Sequence, residues 1–190
     1  MTAITELLWA FIGLLLTVSG TLIEAAVSTP PWLWAEQGVR TYSLGVSYQV
    51  GAVLLVGCVG GKNAAALSQI AYITLGLSPW FPVFSQGGGW DYLSYPTFGY
   101  ILGFLPGGWL CGWLAFRNAV SIETLAVSSF CGLAIVHLVG AFYLTFFYGL
   151  GRDWLAALDV YSWQLLPGQL AIVCASTVLA FALRRVLFVE

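Results

Sequence analysis

Few side chains in this sequence could recognise a ligand, and they sit in or beside long apolar runs. Gln49, Asp159 and Gln169 interrupt such runs. A polar group in hydrocarbon is costly and usually faces a helix-bundle interior or water. An amide both donates and accepts hydrogen bonds, so Gln49 and Gln169 suit a ureido or amide ligand; their other use is bonding helix to helix. The densest set of candidates lies between Phe84 and Phe104. Gly87, Gly88 and Gly89 expose backbone N–H and C=O groups and allow positive φ. Such irregular backbone is tolerated at membrane depth where protein or a wet cavity covers it. Asp91, Tyr92, Thr97 and Tyr100 follow, with Trp90 and Tyr95, and the aromatic rings offer flat faces with polar tips. This stretch could wall a pocket for a small ligand that is part polar and part apolar. The competing use is an interfacial aromatic belt around a flexible turn. Gly99 opens a small-residue face with Gly103, Gly107 and Gly108 that suits close helix packing, and Gly99 itself could leave room for a ligand.

Bond-making chemistry finds no support. The chain contains no Gly-x-Ser-x-Gly, no His-Glu-x-x-His and no P-loop, so the expectation is a protein that is not an enzyme and cannot itself harness ATP. His137, the single histidine, supplies neither a metal site nor a triad and is expected to be a hydrogen-bonded structural residue. Cys58, Cys111, Cys131 and Cys174 all fall in apolar runs and are expected to be buried, inert thiols. No cofactor or metal is implied.

The elements that must hold these residues are membrane spans. Of 190 residues, 60% are hydrophobic and 7% charged, and the mean hydropathy is +0.91. A soluble domain carries roughly 25% charged residues. Spans need about 20 apolar residues each, and six are expected near 4–27, 42–60, 64–79, 96–116, 120–148 and 160–183, in one all-α transmembrane domain. The first run lacks the basic n-region of a signal peptide and is expected to be retained. Lys62, Arg117, Arg184 and Arg185 fall on one side of this arrangement, Arg40 and Arg152 on the other. The positive-inside bias then puts both termini in the cytoplasm. The formal charge of −2 and the lack of a basic tract argue against nucleic acid. In the first span Gly13, Thr17, Thr21 and Ala25 recur at i, i+4, a pattern that packs within a bundle or docks a partner helix. Ala10, Gly13 and Thr17 are the candidate partner interface.

The segments Phe81-Pro82-Val83-Phe84, Gly87-Gly88-Gly89 and Pro96-Thr97-Phe98-Gly99-Tyr100-Ile101-Leu102-Gly103-Phe104 resemble, in order and spacing, the BioY family of biotin transporters. Ser47-Tyr48-Gln49 and the turn Gly57 to Lys62 are similar more loosely. The family comprises substrate-binding (S) components of energy-coupling factor (ECF) transporters. The resemblance implies a six-helix S-component fold in a bacterial-type cell membrane that captures biotin at the external side. It also implies partnership with a transmembrane T subunit and ATPases. One departure stands out. Gln169 and Ile172 occupy positions where the family carries an Asp and a Lys that help bind biotin. Arg40 or Arg152 could then serve the ligand carboxylate, and Trp32 and Trp34 could close a lid after the first span. The alternatives are a carrier for another small vitamin or hydrophobic acid, or a structural membrane protein without a ligand.

Overall fold

The computed structural model describes residues 2–187. Helix α1 (Ala3–Leu22) is capped by Thr2, whose hydroxyl oxygen accepts the Thr5 N–H at 3.3 Å. The chain then forms an antiparallel ribbon of β1 (Glu24–Ser28) and β2 (Thr41–Ser47), joined across a short helix α2 (Trp34–Gln37). Residues 23–27 and 42–47, expected as parts of the first two spans, therefore lie outside helices. The segment Thr41-Tyr42-Ser43-Leu44-Gly45-Val46-Ser47 is rich in β-formers, and Gly45 at φ 68° cannot continue a helix.

Helix α3 (Gln49–Leu77) is two arms, 49–60 and 62–77, broken at Gly61 (φ 80°, ψ 176°). The arms run antiparallel. The Gln49 side-chain amide donates to the Tyr72 hydroxyl at 2.8 Å, whereas one continuous helix would hold residues so spaced about 35 Å apart. Helix α4 (Phe98–Ala115) follows a long loop, and α5 (Ile122–Tyr148) starts at Ser121, whose hydroxyl accepts the Thr124 N–H at 3.1 Å. After α6 (Arg152–Leu158) comes a π-helical turn (Asp159–Trp163), then α7 (Leu166–Leu187). The last long helix thus starts later than the expected 160, and Pro167 sits in its first turn, where a missing N–H costs nothing.

The segments α1, α3, α4, α5 and α6 through α7 are each long and apolar enough to cross a membrane. Because α3 is a hairpin, they make six helical passages. Large apolar side chains such as Leu8 and Phe11 of α1 and Leu138, Phe142 and Phe146 of α5 face outward. Water would penalise that surface; lipid is its natural solvent. The core lies between the α3 arms, α4, α5 and α7, around Tyr72, Leu54, Val136 and Val173.

Two ends are distinct. At one, Asn63 donates to the Glu6 carboxylate at 3.1 and 3.2 Å, and Lys62 and Arg117 lie over the Trp109 and Trp113 rings. There the Arg184 guanidinium donates to the Ala115 carbonyl at 2.7 Å, closing the end of α4. At the other end sit the ribbon and the loop before α4. The 12-residue first arm of α3 spans only about 18 Å of a roughly 30 Å hydrocarbon core. Its outer end therefore stops inside the bundle, and a cavity opens above it.

Candidate ligand-binding cavity

The cavity measures about 430 Å³ and is bounded by β2, the start of α3, the loop before α4, and α4, α5 and α7. That volume suits a small organic ligand. Ile101, Phe104 and Val136 make its floor apolar, and among the described residues no charged side chain lines it.

Gln49, the first residue of α3, lines one side. One of its amide N–H groups is given to Tyr72, and the buried Tyr72 hydroxyl in turn donates to the Val83 carbonyl at 3.2 Å. The Gln49 carbonyl has no partner among the described residues and stays available to a ligand. Gln169, in the first turns of α7, lines another side and is held the other way round. Its carbonyl oxygen lies 2.6 Å from His137 Nε2. His137 Nδ1 lies 3.0 Å from the Ser162 hydroxyl, which lies 2.7 Å from the Tyr100 hydroxyl. Two amides thus flank the cavity, one offering an acceptor and one a donor. Thr97 adds a hydroxyl oxygen that is buried without a partner among the described residues. An unpaired buried hydroxyl costs about 1–3 kcal/mol, so a ligand that meets it gains.

Of the residues expected to bind ligand, Gln49, Tyr92, Thr97, Tyr100 and Gln169 converge on this cavity. The others lie elsewhere. Gly87 (φ 119°) and Gly89 (φ 89°) shape the loop, and Gly88 packs it down; a Cβ there would meet the Gly76 carbonyl at 2.7 Å. The glycines present Ser85 and Gln86 to the cavity and do not line it themselves. Gly99 makes room for the Tyr143 ring rather than for a ligand. Asp91 is exposed off the cavity, and exposed Asp159 accepts a hydrogen bond from Gln164 at 2.8 Å. Arg40, in the ribbon connection, and Arg152, at the start of α6, are exposed and absent from the lining, so neither stands ready for a ligand carboxylate. Ile172 is buried against Gly51 of α3, which leaves no ligand-facing role at the position where the resemblance implies a Lys. Trp32 is 78% exposed and Trp34 donates to the Thr29 carbonyl at 2.6 Å; neither lines the cavity, whose cover is Gly45, Val46 and Ser47 of β2.

The expected partner interface is internal. Ala10 and Thr17 are buried, a Cβ on Gly13 would meet Ser68 and Val56, and Gln69 donates to the Thr17 hydroxyl at 3.1 Å. The small-residue stripe of α1 is consumed by α3. Among the cysteines, Cys58 and Cys111 are buried as free thiols 3.5 Å apart, while Cys174 is exposed on α7.

Ser85, Gln86 and Tyr161 also line the cavity and had not been singled out. The first two directly precede the glycine cluster, which was the available signal. Tyr161 and Ser162 belong to the π turn, whose inward side chains no helical period marks. Among the described residues no group of three His, Cys, Asp or Glu could hold a metal. Among the described residues the cavity lining offers neutral hydrogen-bonding groups.

The whole arrangement has the fold of a solved transporter S component. The fold matches a solved chain described as the S-component for biotin from an ECF-type ABC transporter, with a TM-score of 0.71 at 22% identity, over 97% of this chain and 95% of that one. The chain belongs to the BioY family, whose model matches residues 3–188. Relatives include a probable biotin transporter BioY of Lysinibacillus sphaericus, 34% identical over 70% of this chain and 67% of its own. The biotin transporter BioY of Thermotoga maritima is 30% identical over 68% and 74%. An uncharacterized 21.2 kDa protein of Cyanophora paradoxa is 30% identical over 95% of both chains. The named relatives are transporters rather than enzymes.

Proposed function

We propose that this chain is the substrate-binding component of a biotin uptake system and captures the vitamin from outside the cell. The observation that carries the reading is the pair of amides locked in opposite senses across one uncharged cavity. A ureido group has N–H donors and a carbonyl acceptor, so it meets the Gln49 carbonyl and the Gln169 N–H₂ together. The apolar floor of Ile101, Phe104 and Val136 accepts the thioether ring and the aliphatic tail. A ligand without the ureido group would leave these site groups unpaired, which is how such a site discriminates.

The end carrying Lys62, Arg117 and Arg184 is assigned to the cytoplasm by the positive-inside bias, which turns the cavity outward in a cell membrane. With no nucleotide-binding motif in the chain, energy for uptake comes from a T subunit and ATPases supplied by other chains. The test is equilibrium binding of biotin to the detergent-purified chain, with desthiobiotin, lipoate and thiamin as competitors. Saturable binding displaced by biotin and desthiobiotin alone supports the reading. No biotin binding overturns it in favour of another small ligand or none.

A further inference from the structure

Gln169 does not set its own orientation. Its carbonyl oxygen faces His137 Nε2 at 2.6 Å, and an oxygen cannot donate, so Nε2 must carry the proton. In a neutral imidazole Nδ1 then offers a lone pair. The Ser162 hydroxyl, 3.0 Å away, must donate to it, and the Ser162 oxygen must receive the proton of the Tyr100 hydroxyl at 2.7 Å. The other tautomer would reverse every bond in this chain and present the Gln169 carbonyl, not its N–H₂, to the cavity.

The surroundings hold these side chains in place. Ser162 sits in the π turn, where the Gln164 N–H reaches the Asp159 carbonyl at 2.9 Å across five residues. The Tyr100 and His137 rings meet edge to face at 5.7 Å. Behind the imidazole lies an apolar groove lined by Leu138, Leu158 and Leu170, in which Ser162 is the ring's only polar neighbour among the described residues. The cavity lies on one side of this polar wall and the lipid-facing groove on the other.

We infer that His137, through Ser162 and Tyr100, is a positioning residue that fixes Gln169 as a hydrogen-bond donor to a carbonyl-type oxygen of the ligand. The inference rests on the binding reading above. It assigns to a neutral relay across α4, α5, the π turn and α7 the task of making this wall specific for a carbonyl.

The test has two arms. Histidine labelled with ¹⁵N in the full-length, detergent-solubilised chain gives one set of ring signals, because the sequence holds a single histidine. At a pH where the ring is neutral, a protonated Nε2 and a bare Nδ1 are expected; the Nδ1–H tautomer overturns the inference. The second arm compares biotin with iminobiotin, in which an NH group replaces the ureido oxygen. His137→Leu should cut the preference for biotin over iminobiotin by about tenfold or more, the loss expected for one buried hydrogen bond. His137→Gln, whose amide can still donate to Gln169, should retain most of it. If His137→Leu does not fold, Ser162→Ala keeps the imidazole and removes one restraint, and a reduced preference is again expected. Equal weakening of both ligands would mean a merely structural histidine and overturn the inference. If the wild-type chain binds no biotin, the functional reading fails, and the tautomer still decides the polarity of the wall.

Discussion

At the scale of residues, the cavity offers amide and hydroxyl groups, and no charged side chain among the described residues. Among the described residues no cation lines the cavity to hold a carboxylate, and Arg40 and Arg152 stand off it. The carboxamide of biotin should therefore bind within about threefold of the acid, since a lost charge-assisted bond would cost roughly 1.5–3 kcal/mol and tenfold or more. Competition binding with the two ligands measures this directly. Arg40→Gln and Arg152→Gln should leave the affinity within about twofold. Gln49→Leu should behave differently. It removes the acceptor facing the cavity and strips the buried Tyr72 hydroxyl of its donor, so biotin binding should weaken about 10-fold to 100-fold. Gln49 and Gln169 were legible in the sequence because an amide inside an apolar run is costly without a purpose. That His137 grips Gln169 was not legible, since 32 residues of chain separate them.

Among the elements, glycines and caps decide where helices stop and how closely they pack. Gly61 turns α3 back on itself at φ 80°. Gly61→Val should destabilise the chain by about 1–3 kcal/mol, because this combination of φ and ψ is essentially open to glycine alone. Thermal unfolding in detergent would report it as a lowered Tm. Gly99→Ala separates packing from binding. Its new methyl group meets the Tyr143 ring, so it should lower Tm while leaving the Gln49–Gln169 geometry, and hence the affinity, much less affected than Gln49→Leu does. A variant that lost binding at unchanged Tm would count against this placement. The ribbon shows why span boundaries misled. Hydropathy marks 42–47 as part of an apolar run, but pairing with β1 satisfies its backbone and places Gly45, Val46 and Ser47 over the cavity. Small residues in α1 matched a docking pattern equally well inside or outside the bundle, and only contact with Ser68, Val56 and Gln69 distinguishes the two.

The whole molecule is asymmetric from end to end. One carries Lys62, Arg117 and Arg184 beside aromatic rings, the other the cavity and the ribbon. Placing single cysteines in cells tests the assigned orientation. Arg152→Cys should react with a membrane-impermeant thiol reagent applied outside, and Arg117→Cys only after the membrane is opened. The reverse pattern would invert the topology and separate the cavity from the external ligand.

By itself the sequence determined that this is a multi-span membrane protein with a glycine-rich loop before an aromatic helix, because hydropathy and turn chemistry are local properties of the chain. The motif Pro96 to Phe104 further tied it to its family. Only the tertiary structure decided which candidates share a wall. Whether Gln49 faces Tyr72, Gln169 faces His137, or Gly99 faces Tyr143 depends on how helices distant in sequence rotate and cross. Those choices are set by packing among all of them at once, which no local pattern encodes.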